Sequence, residues 1–345
     1  MPIAPLHPEA EQAALAHQAQ LTKPPGALGR LEQIAVWLAA RQGKAIPDPL
    51  KPAITVFAGD HGVCAQGVSV FPSVVTGEMV KNFARGGAAI SVLARLWNAP
   101  LAVVDVGVAG DLSQVAGVVQ AKVAPGSADL TQGPAMSRQQ VEAALQVGRA
   151  QAQSAIHNGA NLLIAGDMGI GNTTASACLI CALALADPED VVGRGTGVDD
   201  AGLARKRDAV QRGLARAKAT QPADGIDWLA QLGGLEIAAM AGFYLEGAAR
   251  GVPCLIDGFI AAAAALVAHA IEPGAEIWWL ASHASQETGH RLALRALGLD
   301  PLVDLQMRLG EGSGAAICLP LLQEAVALHA GMATFAQAGV SGGVA

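Results

Sequence analysis

Five short segments of this chain run almost without interruption in apolar residues and stop at a glycine, an aspartate or a serine. They are AITVFAG (Ala53–Gly59), LAVVDVG (Leu101–Gly107), NLLIAGD (Asn161–Asp167), VPCLIDG (Val252–Gly258) and AEIWWLAS (Ala275–Ser282). A strand with one wet face alternates polar and apolar residues. A strand covered on both faces does not, and parallel sheets clad by helices are the usual setting for that second kind. Helix-like sequence separates the segments, over about residues 76–96, 137–158, 173–186, 199–219 and 232–250. Such alternation requires right-handed crossovers and predicts an α/β fold, a three-layer α/β/α sandwich around a mostly parallel sheet. Aromatic residues make up only 3% of the chain, so Ala, Val, Leu and Ile have to fill the core. Residues 8–42 read as a polar helical opening broken by Pro24, Pro25 and Gly26, and helical sequence follows Ser282 to about Phe335. The two helical ends are expected to pack together as a smaller lobe.

Composition narrows the partners. The formal charge is −7 and the longest basic run is ARKR at Ala204–Arg207, so neither nucleic acid nor an anionic membrane surface is expected to bind. A small phosphorylated substrate needs only local positive charge and backbone amides. The longest wholly apolar run, FIAAAAALVA (Phe259–Ala268), is too short for a membrane span, and MPIAPLHPEAEQ lacks the basic start and apolar stretch of an export signal. Five scattered cysteines do not make a disulfide framework. Together these predict a soluble, cytoplasmic protein. Cys178 and Cys181 form a CxxC without a second ligand pair, and are expected as packed thiols on a buried helix. None of the eight histidines sits in an HExxH or a Cys/His quartet, so no metal is expected.

The stretch LLIAGDMGIGNTTASA (Leu162–Ala177) passes from a strand into glycines and then a helix former. Gly169 and Gly171 open backbone conformations closed to other residues, and Asn172, Thr173 or Thr174 can cap the helix. A helix start with free amides attracts an anion. The stretch lacks the third glycine of a dinucleotide fingerprint and the GK[ST] of a P-loop, so it is compatible with a phosphate cradle or with a merely tight turn. Asp167, just before the glycines, would repel a phosphate if charged. FAGDHGV (Phe57–Val63) repeats the pattern of IAGDMGI (Ile164–Ile170) after another strand. In an open parallel sheet, ligands bind beyond the carboxyl ends of the strands, so the two loops are expected to line one crevice.

Three further segments carry candidate chemistry. VVGRGTGVDDAGLARKR sets Arg194 and Gly195 among glycines and continues into Lys206. Lys206 is either a phosphate ligand or part of a solvated basic turn. In LGEGSGAA, Glu311 stands between glycines at a helix start. There it either stabilises the helix dipole or, if buried, has a raised pKa and works as a general base. HASQETGH (His283–His290) places Ser285 and Glu287 in a strand-end loop suited to polar ligand atoms, and GVSVFPSVVTGEM around Ser73 lacks a GxSxG nucleophile elbow.

AGDHGV, GVSVFPSVVTGEMVKNFARGGAAISVLA, DVG, GDMGIGNTTASA, GRGTGVDD and LGEGSGA, in that order, with KPPGALGRLE near the start, resemble the nicotinate-nucleotide:5,6-dimethylbenzimidazole phosphoribosyltransferase family. The resemblance runs from about Lys23 to at least Ala316. It implies a Rossmann-like large α/β domain (residues 49–317), a small helical domain from both termini (1–48 and 318–345), a homodimer and no cofactor. It implies transfer of the 5-phosphoribosyl group of β-nicotinate mononucleotide to dimethylbenzimidazole, with inversion. On the family pattern Glu311 resembles the catalytic base, assisted by Asp167. Gly169, Gly171, Asn172, Thr173, Gly195 and Lys206 resemble the nucleotide and phosphate region, and Arg194, set among the glycines of that loop, is expected to bind there too. Phe71, Ser73, Lys81 and Met168 resemble the benzimidazole pocket. Asp167 replaces the commoner Glu and Ala27 the usual Ser. Competing readings are a nucleotide-binding regulator without turnover and, against the glycine spacing, a nicotinamide-dependent oxidoreductase.

Overall fold

The computed structural model describes residues 2–195 and 197–341. Helices α1 (Pro8–Gln18) and α2 (Arg30–Gln42) precede β1 (Pro52–Gly59). From there α3 (Val74–Arg85) and α4 (Ala89–Leu96) lead to β2 (Leu101–Gly107) and β3 (Val118–Gln120), and α5 (Arg138–His157) leads to β4 (Leu162–Met168). The connection from β4 to β5 (Cys254–Ile256) holds α6 (Asn172–Leu183), α7 (Pro188–Val191), α8 (Asp200–Ala219), α9 (Gly225–Leu232) and α10 (Leu235–Ala249). Then come α11 (Phe259–Ile271), β6 (Trp279–Ala281), α12 (His290–Ala296), α13 (Ser313–Gly331) and α14 (Phe335–Ala338).

The described residues form one sheet in the order β3-β2-β1-β4-β5-β6, every neighbouring pair parallel. The unbroken apolar runs have the predicted cause. Along β1, Ala53 and Phe57 enter one core while Ile54, Val56 and Ala58 enter the other. The first core takes Leu145 of α5, Leu179 of α6, Phe243 of α10 and Leu266 of α11. The second takes Leu38 of α2, Phe83 of α3, Ile90 of α4 and Leu322 of α13. The central strands β1, β4 and β5 are thus dry on both sides, and the sandwich follows from the sequence pattern. The CxxC thiols are free and buried on α6, as expected.

Several boundaries differ from expectation for identifiable reasons. The helix foreseen over 76–96 is broken at Gly86 and Gly87, where Gly86 ends α3 with a φ of +83°. The first half of AEIWWLAS is a 3₁₀ turn, Ala275–Trp278, and only Trp279–Ala281 joins the sheet. Edge strand β3 has no apolar run because two of its three residues are exposed. Helix does not continue after α12: residues 297–312 return across the sheet before α13 begins.

The two helical ends are in contact. Leu21 bridges Thr334 in antiparallel fashion, His17 Nε2 lies 2.8 Å from the His329 carbonyl, and Gln18 Nε2 lies 2.7 Å from His329 Nδ1. The division foreseen at residue 317 falls inside α13, which runs unbroken through it. By length and composition α13 is apolar enough to cross a membrane, but half of it is buried in this fold.

Candidate active site

β1 and β4 lie side by side, yet β1 connects onward to β2 on one side and β4 to β5 on the other. That reversal opens a crevice beyond the carboxyl ends of the strands. A cavity of about 360 Å³ occupies it, within the range of small-molecule sites. One wall is the end of β4 and the start of α6, with Asp167, Met168, Gly169, Asn172 and Thr173. A second is the crossing turn Arg308–Glu311, and a third is His283, Ser285 and Glu287 after β6. Phe71, Val75 and Met79 add an apolar lining.

The β4 turn is shaped by what lies beneath it. A side chain on Gly169 would sit 2.4 Å from the Gly59 carbonyl oxygen, and Gly171, at a φ of +95°, faces Cys64 and His61. The FAGDHGV loop therefore supports the turn from below and does not line the cavity, contrary to expectation. Beneath it, His61 Nε2 lies 2.6 Å from Glu236 Oε1, both fully enclosed.

Asp167 is 7% exposed and accepts a 2.9 Å hydrogen bond from Asn172 Nδ2. Burial, reinforced by Asp257, Glu236 and Glu311, pushes its carboxyl up to about 8. At neutral pH it is mainly protonated, so the expected repulsion between this acid and a phosphate is absent there. The same protonation means that Asp167 can assist Glu311 as a hydrogen-bonding acid and not through a negative charge.

Glu311 is 5% exposed, and its backbone crosses β4 directly over Gly166. A side chain on Gly166 would fall 2.1 Å from the Glu311 carbonyl oxygen, so the crossing requires glycine there. Gly310, Glu311 and Gly312 all take positive φ, of 82°, 66° and 83°. For Glu311 this costs about 1 kcal/mol or more, a strain the surrounding structure has to hold. Its Oε2 accepts a 3.3 Å hydrogen bond from the Ile90 amide at the start of α4. The dipole of its own helix, α13, is served instead by Asp257, which accepts from the Gly312 and Ala315 amides. Burial raises the Glu311 carboxyl, and Asp257 raises it further.

The remaining expected residues divide. Lys206 is 1% exposed and stands behind the cavity wall, donating to Thr173 Oγ1 at 2.8 Å and to the Gly193 carbonyl at 3.3 Å. Burial lowers its ammonium to about 8, against the pull of Glu287. Because Lys206 fills an acceptor site on Thr173, the Thr173 hydroxyl proton is free to point into the cavity. Gly195 lines the cavity, but Arg194 turns outward to Asp200 at 2.5 Å and to the Val198 carbonyl. Arg308, which sequence reasoning passed over, brings a guanidinium to this end, held by the Gly195 carbonyl at 2.8 Å. Phe71 and Met168 are on the wall. Ser73 and Lys81 are not: Val75 and Met79, four apart on α3, take the facing stripe, and Lys81 falls about 200° round the helix from Met79. Asp257 and His283 were also missed as site residues. For Asp257 the signal was present, since VPCLIDG carries an acid just before its final glycine, much as NLLIAGD ends in one.

A doubly covered parallel sheet of this order, with a cavity at its switch point walled by a glycine-rich helix start and buried carboxylates, defines a nucleotide-handling α/β enzyme. The chain belongs to the phosphoribosyltransferase family, whose model matches residues 3–340. It is similar to the nicotinate-nucleotide--dimethylbenzimidazole phosphoribosyltransferase of Chromobacterium violaceum, 66% identical over 338 residues that cover 98% of each chain. The protein of the same name from Pseudomonas aeruginosa is 51% identical, over 97% of this chain and 95% of that one. The crystal structure of CobT from Thermus thermophilus matches with a TM-score of 0.94 at 50% identity, over 97% of this chain and 100% of that one.

Proposed function

We propose that this chain transfers the 5-phosphoribosyl group of β-nicotinate mononucleotide to 5,6-dimethylbenzimidazole, giving α-ribazole 5′-phosphate and nicotinate. One observation carries the residue assignment: a buried, proton-avid Glu311 in the same cavity as the start of α6. Phosphate docks at the Gly169–Thr173 turn, backed by Lys206 through Thr173 and flanked by Arg308. The aromatic base rests among Phe71, Val75, Met79 and Met168. Nicotinate departs from a pyridinium glycoside with the bonding pair and becomes a neutral ring, so it needs no proton. The benzimidazole lone pair attacks the anomeric carbon from the opposite face, which inverts it. The benzimidazole's other nitrogen passes its proton to Glu311, leaving a neutral product ring. Asp167, protonated at neutral pH, donates a hydrogen bond to the sugar or the incoming base.

The same reading keeps the helical ends as a lobe built from both termini, and takes the protein as a cytoplasmic homodimer. The free thiols support a reducing compartment, and exposed Val70, Phe71 and Val74 offer an apolar contact beside the cavity. Light scattering at working concentration should give twice the chain mass, and a monomer mass would end the dimer assignment. The reaction is tested by incubating the protein with both substrates and following nicotinate and α-ribazole 5′-phosphate by chromatography. Tight nucleotide binding by folded protein without nicotinate release would favour a non-catalytic binder instead.

A further inference from the structure

Asp257 follows β5 and is 1% exposed. It makes no contact that the proposed reaction uses, yet it holds the turn that does. Its Oδ2 accepts from the Gly312 amide at 3.2 Å and its Oδ1 from the Ala315 amide at 2.8 Å. Gly312 directly follows Glu311 and is the third of three consecutive left-handed residues. A turn of that conformation needs external fastening, and β5 supplies it through this one side chain.

We propose that Asp257 is a positioning residue for Glu311: its carboxylate clamps the Gly310–Gly312 turn and keeps a negative charge behind Glu311 that favours proton acceptance. The charged and titratable groups around the pair are mostly acidic. Asp167 approaches from β4, with Glu236 of α10 behind it; Tyr244 of α10 and Cys318 of α13 also feel Asp257. His283, after β6, is the cationic candidate, with Nδ1 3.9 Å from Asp257 Oδ1. Arg308 turns away to Gly195. Burial pushes the Asp257 carboxyl up, while His283 and the amides of Ala315, Gly258 and Gly312 favour its ionised form. A like charge nearby makes the neighbouring carboxylate hold its proton more firmly.

The charge half of the proposal rests on Glu311 being the proton acceptor, and the test separates the two. The Glu311 carboxyl band is isolated by infrared difference against Glu311→Gln and followed through pH in full-length protein without substrates. Asp257→Asn should lower its ionisation midpoint by about one pH unit, while Asp257→Glu, which keeps the charge, should leave it near the wild-type value. An unshifted midpoint in folded Asp257→Asn, or in Asp257→Ser if the Asn variant does not fold, overturns the proposal. So does loss of fold in both neutral variants while Asp257→Glu folds and turns over, which would assign the charge to stability alone. Failure of the base reading shows elsewhere, as single-turnover nicotinate release in Glu311→Gln at the wild-type rate.

Discussion

The chain carries the pattern apolar-Ala-Gly-Asp-x-Gly-apolar twice, after β1 and after β4, on strands paired so that Phe57 stands opposite Asp167. The two copies have opposite fates. The β4 copy forms the cavity wall and the start of α6. The β1 copy is packed beneath it, its Asp60 accepting from the Ala109 amide at 2.8 Å and its His61 held by Glu236. Each copy has a glutamate against it: Glu311 over β4 and Glu236 against β1. Sequence similarity between two loops therefore does not assign them one role. What separates them is the onward path, since β4 runs directly into α6, whose N-terminal turn lines the cavity.

The sharpest break of the comparison exchanges carboxylate for amide at the two glutamates. Glu311→Gln should lower single-turnover nicotinate release by about 10²-fold or more with nucleotide affinity kept. Glu236→Gln should keep that rate within severalfold and appear instead in thermal unfolding, as a loss of about 1–3 kcal/mol. Equal kinetic losses in both would mean that the lower loop works in the chemistry too.

A smaller effect is expected where the working loop meets its buried lysine. Lys206→Ala removes a charge-assisted hydrogen bond to Thr173, worth about 1.5–3 kcal/mol, and should weaken nicotinate mononucleotide by roughly 10- to 100-fold. Dimethylbenzimidazole measured alone by calorimetry should hardly change. Equal weakening of both ligands would give Lys206 a general structural role.

The smallest effects distinguish the paired aspartates through pH. The Asp167 carboxyl is raised to about 8 in the fold, from an ordinary value of 3.8. Its stabilising contribution is therefore fully present below about 4 and is lost as pH rises toward and through 8. Asp167→Asn has no proton to lose, so its Tm should rise relative to wild type across that window and level off above it. Its nucleotide affinity should match wild type at pH 7 and exceed it at pH 9, where the native carboxylate repels the phosphate. Asp60→Asn should show neither trend in nucleotide binding. A nucleotide affinity for Asp167→Asn that falls far below wild type at pH 7 would place Asp167 in ground-state binding.

The layers of the fold were legible because burial on both faces leaves a direct mark, an apolar run without alternation. Where burial is partial the mark vanishes, which is why half-exposed β3 went unread and the Gly86–Gly87 break was absorbed into one helix. The site was legible where one segment holds it, as at Gly169–Thr173 and Glu311. It was not legible where the fold joins distant segments: Arg308 reaches Gly195 across 113 positions, and Asp257 reaches Ala315 across 58. Helical phase decided Ser73 and Lys81, and phase is lost when the start of α3 is uncertain by a residue or two. The charge state of Asp167 depends on its burial, reinforced by three other acids, and only the folded chain assembles these.

Helix α13 has a mechanical consequence. Its 19 residues make a rod about 28 Å long, with Glu311 at one tip and His329 near the other, clasped by His17 and Gln18. Pivoting such a rod by about 2° at the clasped end would displace the opposite tip by about 1 Å, and misplacement of that size is enough to cost about 10²-fold in rate. Were the helix to move as one body across Pro320, a shift at His17, Gln18 or His329, remote from the cavity, would be carried to its alignment.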